Sequence, residues 1–77
     1  MTQPKVTVYT KPACVQCVHT KKYLDRHSIA YETIDVSVDE KALEYITSLG
    51  YMAAPVVTFG ESHWSGFRLD KLASIHN

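Results

Sequence analysis

Residues 7–17, TVYTKPACVQC, decide how the rest of the chain is read. From Lys5 to Thr10, Val6 and Val8 alternate with Thr7 and Tyr9, all strand-favouring types, so this segment is predicted to be a strand. Pro12 ends the strand and pre-sets a turn, which leaves Cys14 near the first turn of a helix. The helix is predicted over Ala13–His27. Cys17, Thr20, Leu24 and His27 fall at three- and four-residue spacings with Val18 beside them, while Lys21, Lys22, Asp25 and Arg26 face water.

The pattern continues outward from this unit. Ala30–Val36 reads as a second strand with Tyr31 and Ile34 as packing anchors. Ser37 and Glu40 match a capping box before a helix whose apolar side is Ala42, Leu43, Ile46 and Leu49, and Gly50 is placed to end it in a left-handed conformation. Pro55–Phe59 is a third strand that opens on proline, where a missing donor is tolerated. Gly60-Glu61 is a turn, Ser62–Ser65 a short returning strand, and Arg68–His76 a last helix with Leu69, Leu72, Ala73 and Ile75 on its apolar side. The fold class is therefore α/β, βαβαββα, with a four-stranded mixed sheet flanked by helices on both faces. The strands joined by the first helix should be parallel with a right-handed crossover, and the last two should form a hairpin.

Composition narrows the function. The 77 residues are expected to form a single domain, 1–77, and 45 % apolar content is too high for a disordered tail. Lys and Arg together number 8, as do Asp and Glu, so the chain lacks the overall basic balance of a duplex-binding protein, and no nucleic-acid partner is expected. No stretch approaches the roughly 18 apolar residues of a membrane span, and MTQPKVTVYT lacks the apolar run of a secretory signal. A cytoplasmic protein without a membrane partner is expected, in a compartment that keeps thiols reduced.

The two cysteines, Cys14 and Cys17, enclose too short a loop for a structural staple. A sulfur in the first helical turn lies beside unpaired amides and the positive end of the helix dipole, which favour the thiolate of Cys14 and lower its pKa below the free value of about 8.5. Lys11 is close enough in sequence to add to that effect. Residues three apart share a helix face, so Cys17 can reach the Cys14 sulfur from a more covered position. Cys14 then attacks a partner disulfide and Cys17 resolves the mixed disulfide, while Val15 and Gln16 tune the potential.

Alternatives stand beside this reading. Zinc needs four ligands, and His19, His27, His63 and His76 show no paired spacing with the cysteines; no intrachain metal is expected. Two chains sharing a cluster would supply four thiolates, and two buried, inert cysteines are a further option. Pro55 after Ala54 opens the third strand. If that strand lies beside the first, its start borders the Cys14 turn and a cis bond would present Ala53 backbone to an extended partner, although base rates favour trans. Trp64 reads as core or as part of a site with Phe67, and Gly66 marks a tight strand-to-helix junction. Lys21, Lys22 and Arg26 read first as a solvated helix face, or, with Lys11, as a basic patch that steers an acidic partner.

TVYTKPACVQC at 7–17, LGY followed by APVV at 49–57, and WSGFR at 64–68 together resemble the glutaredoxin-like NrdH-redoxins of the thioredoxin-fold superfamily over essentially the whole chain. The resemblance implies a thioredoxin/glutaredoxin-like fold, Cys14 as nucleophile, Cys17 as resolving cysteine and Pro55 as a cis proline. It also implies that Trp64, Ser65, Gly66, Phe67 and Arg68 knit the last strand and helix together near the active site. Lys11, Pro12, Val15, Gln16 and Ala54 are carried over as active-site support or partner contacts. The implied partners are the large subunit of class Ib ribonucleotide reductase, as electron acceptor, and thioredoxin reductase. No bound cofactor is implied; electrons come from NADPH through that flavoprotein rather than from glutathione. A monomer is expected. The chain lacks the Cys-Pro-Tyr-Cys site and the Gly-Gly plus acidic pattern of glutathione-dependent glutaredoxins. Leu69 stands where the family usually has proline, and Ala53 where it commonly has a polar residue.

Overall fold

Alternating valines make Val6–Thr10 the strand around which the chain is arranged. A computed structural model describes residues 5–75. The elements are β1 (Val6–Thr10), α1 (Val15–Arg26), β2 (Glu32–Asp35), α2 (Glu40–Ser48), β3 (Val56–Phe59), β4 (Ser62–Ser65) and α3 (Leu69–Leu72). The strand order is β2-β1-β3-β4. β1 runs parallel to β2 and antiparallel to β3, and β3 pairs antiparallel with β4 across the Gly60-Glu61 turn. This is the predicted βαβαββα order and the thioredoxin/glutaredoxin-like arrangement.

The period of two in the strands divides the core between the two sheet faces. Val6, Val8, Val57 and Trp64 meet Leu24 of α1, Ile29, Leu72 of α3 and Ile75 on one face. Tyr9 and Val56 meet Ala42 and Ile46 of α2 on the other, with Ile34, Val36 and Tyr51 at its margin. Tyr31 packs against the first cluster and Ile34 against the second, as their odd spacing requires. At a period of three to four, Cys17, Thr20 and Leu24 form the buried stripe of α1.

Several local expectations are corrected. α1 begins at Val15 rather than Ala13, because Ala13 sits in the left-handed region at φ 57° and the next residue, Cys14, is extended and serves as N-cap. His27 is exposed and stacks on Tyr23 instead of joining the core, and Val18 is also exposed. β2 is shorter than Ala30–Val36. The capping box does not form: Asp39 caps α2, its Oδ1 accepting the Ala42 amide at 3.0 Å. Ser37 instead donates its amide and hydroxyl to Asp35 Oδ1, at 2.8 and 2.6 Å, and so shapes the turn before the helix. With the helix phase set by Asp39, Leu43 points outward and is 47 % exposed. Gly50 has the expected positive φ, 96°. α3 is only one turn long, Leu72 and Ile75 are buried, and Leu69 and Ala73 are exposed; the predicted helix end at His76 lies outside the described residues.

Two outcomes follow. Leu72 is fully buried, so Leu72→Ala is expected to cost about 2–5 kcal/mol in urea unfolding, the lost transfer energy plus the cavity. The Ser37 hydroxyl, then its amide, hold the Asp35 carboxyl below its ordinary 3.8. A carboxyl lowered by folding adds stability that is complete above its ordinary value and is lost as pH falls through the folded value. Ser37→Ala is expected to move Asp35 back toward 3.8, read by NMR titration of its carboxyl carbon.

Candidate active site

Three chain segments converge at the end of the sheet where β1 finishes. The first is the turn after Thr10. Lys11 and Pro12 are exposed in it, and the left-handed Ala13 swings the chain so that Cys14 caps α1. A left-handed non-glycine residue costs about 1–2 kcal/mol, so the surrounding packing holds this turn against its local preference. Cys14 and Cys17 are joined by a disulfide with Cα atoms 5.2 Å apart, the oxidised form of the pair. The Cys17 amide donates to Cys14 Sγ at 3.1 Å. This is the helix-terminal donor that the spacing anticipates, aimed at the sulfur that would carry the charge after reduction. Cys14 is half-buried, whereas Cys17 is 1 % exposed beneath it.

The second segment is Ala54-Pro55. Its peptide bond is cis, as the resemblance implied; Pro55 is buried and Ala54 half-buried. The carbonyl oxygen of its neighbour Ala53 accepts from Ser65 Oγ at 3.4 Å.

The third segment, Ser65–Phe67, ties the other two together. The Gly66 amide donates to the Pro55 carbonyl at 2.8 Å, and the Phe67 amide donates to Gln16 Oε1 at 3.1 Å. Gln16 therefore tethers the inter-cysteine dipeptide to a segment 51 residues away, a role that sequence reasoning missed because a single glutamine leaves no local signal of a distant partner. Val15, its neighbour in the dipeptide, is 69 % exposed. Gly66 has φ +85°, a conformation that calls for glycine, and a Cβ there would stand 3.2 Å from Gln16 Oε1, so that carboxamide would have to give way by a few tenths of an ångström.

Trp64 and Arg68 flank this third segment on either side. Trp64 is 3 % exposed and belongs to the core, with its buried Nε1 lacking a hydrogen-bond partner among the described residues. Arg68 forms a two-pronged pair with Asp70, Nε to Oδ1 at 3.1 Å and Nη2 to Oδ2 at 2.9 Å. That pairing holds the Asp70 carboxyl below the usual range and raises Arg68. Among the described residues, no group of three or more His, Cys, Asp and Glu side chains is placed to hold a metal ion. His63 instead meets the Tyr51 hydroxyl through Nδ1 at 2.6 Å, and the His19 ring lies 5.7 Å from that of Phe67. No helix among the described residues is long and apolar enough to cross a membrane.

A paired Cys-x-x-Cys at the start of a helix, on this sheet, defines a thiol–disulfide oxidoreductase of the thioredoxin/glutaredoxin fold. The glutaredoxin family model matches residues 6–64. The glutaredoxin-like protein NrdH of Lactococcus lactis subsp. lactis (strain IL1403) is 40 % identical over 70 residues, spanning 91 % of this chain and 97 % of that one. The structure of NrdH-redoxin from Escherichia coli superposes with a TM-score of 0.91 at 36 % identity, covering 95 % of this chain and 96 % of the other. A glutaredoxin from Archaeoglobus fulgidus superposes with a TM-score of 0.83 at 27 % identity, covering 94 % and 85 %. The chain belongs to the glutaredoxin family, within its NrdH-redoxin branch.

Gly66→Ala is expected to destabilise the chain by about 1–2 kcal/mol through its left-handed backbone and to displace the Gln16 carboxamide. Gln16→Ala, which removes only the tether, is expected to cost about 0.5–1.5 kcal/mol. Denaturant unfolding of the two variants reads both losses.

Proposed function

We propose that this redoxin uses Cys14 as nucleophile and Cys17 as resolving thiol to pass two electrons to the large subunit of class Ib ribonucleotide reductase. The observation that carries the role assignment is the difference in access between the sulfurs: Cys14 is half-buried at the helix cap, and Cys17 is 1 % exposed beneath it. An incoming disulfide reaches Cys14 first. The amide of Cys17 that donates to Cys14 Sγ stabilises the thiolate before attack and the same sulfur as it leaves.

In the cycle, the Cys14 thiolate attacks one sulfur of the partner's disulfide; a Cys14–partner bond forms and the second partner sulfur leaves as a thiolate. Cys17, deprotonated, attacks Cys14 Sγ. The intermolecular bond breaks, the partner departs with two thiols after protonation, and the Cys14–Cys17 disulfide holds the oxidation. Thioredoxin reductase, a flavoprotein drawing on NADPH, restores the dithiol. Residues 1–77 act as one redoxin domain, monomeric and cytoplasmic. Lys11, Pro12, Val15 and Ala54 form the rim that meets a partner; Gln16, Pro55, Ser65, Gly66 and Phe67 hold that rim in place, and Trp64 and Arg68 support it from the core and the start of α3. The E. coli relative's thioredoxin-like activity profile supports this choice of reductant, as does the absence from the sequence of a Gly-Gly plus acidic pattern for glutathione.

Cys17→Ser is expected to accumulate a mixed disulfide with the reductase subunit, seen as a thiol-sensitive band of the summed mass, while Cys14→Ser abolishes turnover. In coupled assays, NADPH oxidation is expected with thioredoxin reductase; turnover with glutathione and its reductase alone would refute the assignment of reductant.

A further inference from the structure

Beyond the sulfurs, α1 carries a second stripe of residues that the chemistry above does not use. His19, Lys22, Tyr23 and Arg26 recur at the three- and four-residue spacings of one helix face, and with Phe67 and Leu69 they enclose a pocket of about 250 Å³. That is below the roughly 300–1,000 Å³ of sites that enclose small-molecule ligands; it suits one anchoring side chain of a larger partner. Its chemistry is mixed in an ordered way. Tyr23, Phe67 and Leu69 supply apolar surface, Leu69 being 56 % exposed. Lys22 and Arg26, one turn apart and exposed, supply positive charge, and neither belongs to an ion pair among the described residues. The nearby acids are engaged otherwise: Asp70 pairs with Arg68, and Asp25 accepts the Tyr31 hydroxyl at 2.9 Å.

We infer that this pocket docks an extended acidic segment of the disulfide-bearing partner, with one large apolar side chain seated among Tyr23, Phe67 and Leu69 and flanking carboxylates on Lys22 and Arg26. The inference rests on the redox reading above and adds the recognition element to it. Charge complementarity selects the occupant: two cations beside an apolar pocket on a chain of zero formal net charge favour carboxylates locally rather than through the field of the whole molecule. Position links it to the chemistry. Phe67, one wall of the pocket, is bound through its amide to Gln16, inside the Cys14–Cys17 loop. From Cys14 to Arg26 the helix advances about 18 Å, a length that five or six residues of extended chain cover. The partner's acidic stretch is therefore placed within about six residues of the sulfur that Cys14 attacks.

The test is direct binding to the oxidised protein of two cysteine-free octapeptides, one with a central Phe flanked by Glu and the other with Lys at every Glu position. By calorimetry, the acidic peptide is expected to bind at least about tenfold more tightly at low salt, and the difference to collapse in about 0.5 M NaCl. Amide shifts are expected at residues 19–26 and 67–69. The double variant K22E/R26E is expected to reverse the preference, and K22Q/R26Q to abolish it. Equal affinity for the two peptides, shifts that map elsewhere, or a preference that survives both double variants with the wild-type amide spectrum retained would each overturn the inference. The redox reading is checked apart from this, by reduction of hydroxyethyl disulfide, a neutral substrate, by the unaltered protein in its dithiol form, the Cys14 and Cys17 thiols supplying the two electrons and ending as the disulfide. Failure there removes the redox role, and failure of the peptide pair removes the docking site.

Discussion

Val8 and Val57 face one another across the antiparallel β1–β3 pair, both fully buried, with Trp64 next in line on β4. This register determines which parts of the chain meet. Because β3 runs against β1, its first residues come back to the end of the sheet where β1 delivers Cys14. Because β4 runs against β3, Ser65 arrives at the same end, opposite Val56. A slip of one residue would turn every side chain of β3 to the other face and exchange the two cores. The cysteine pair, the proline turn and the Ser65–Phe67 segment are thus gathered by strand direction and held there by burial.

Once gathered, they are joined by few polar contacts. The amides of Gly66 and Phe67 reach the Pro55 carbonyl and the Gln16 carboxamide respectively. Each bond alone is a modest contribution of about 1 kcal/mol, yet together they connect the dipeptide between the cysteines to two distant turns. The dipeptide is divided in its work: Val15 is exposed and free to meet a partner, while the carboxamide of Gln16, itself exposed, reaches back to the Phe67 amide. A small chain gains from this arrangement, because the reacting sulfurs sit at a helix terminus whose start is determined by sheet contacts on one side and by a left-handed Ala13 on the other.

α1 serves several surfaces at once. Cys17, Thr20 and Leu24 seal the core, Cys14 caps the helix at the redox end, and His19, Lys22, Tyr23 and Arg26 turn toward Phe67 and Leu69. One element therefore ties stability, chemistry and recognition together. Leu69, at the start of α3, supplies part of that pocket's apolar wall.

The order of elements, the position of Cys14 at a helix start, the turn at Gly60 and the end of α2 at Gly50 were all legible in the residues alone. These follow from alternation, helical spacing and backbone limits that act over a few residues. Tertiary structure decided the rest. Ser37 and Asp39 are both competent caps, and the turn built on Asp35 chose Asp39. Leu43 has the spacing of a core residue but faces away once α2 lies on its sheet face. Gln16 meets Phe67 across 51 residues only because β1, β3 and β4 bring them together. Short-range preferences settle what a segment becomes; contacts between segments depend on strand direction and register, which no local pattern contains.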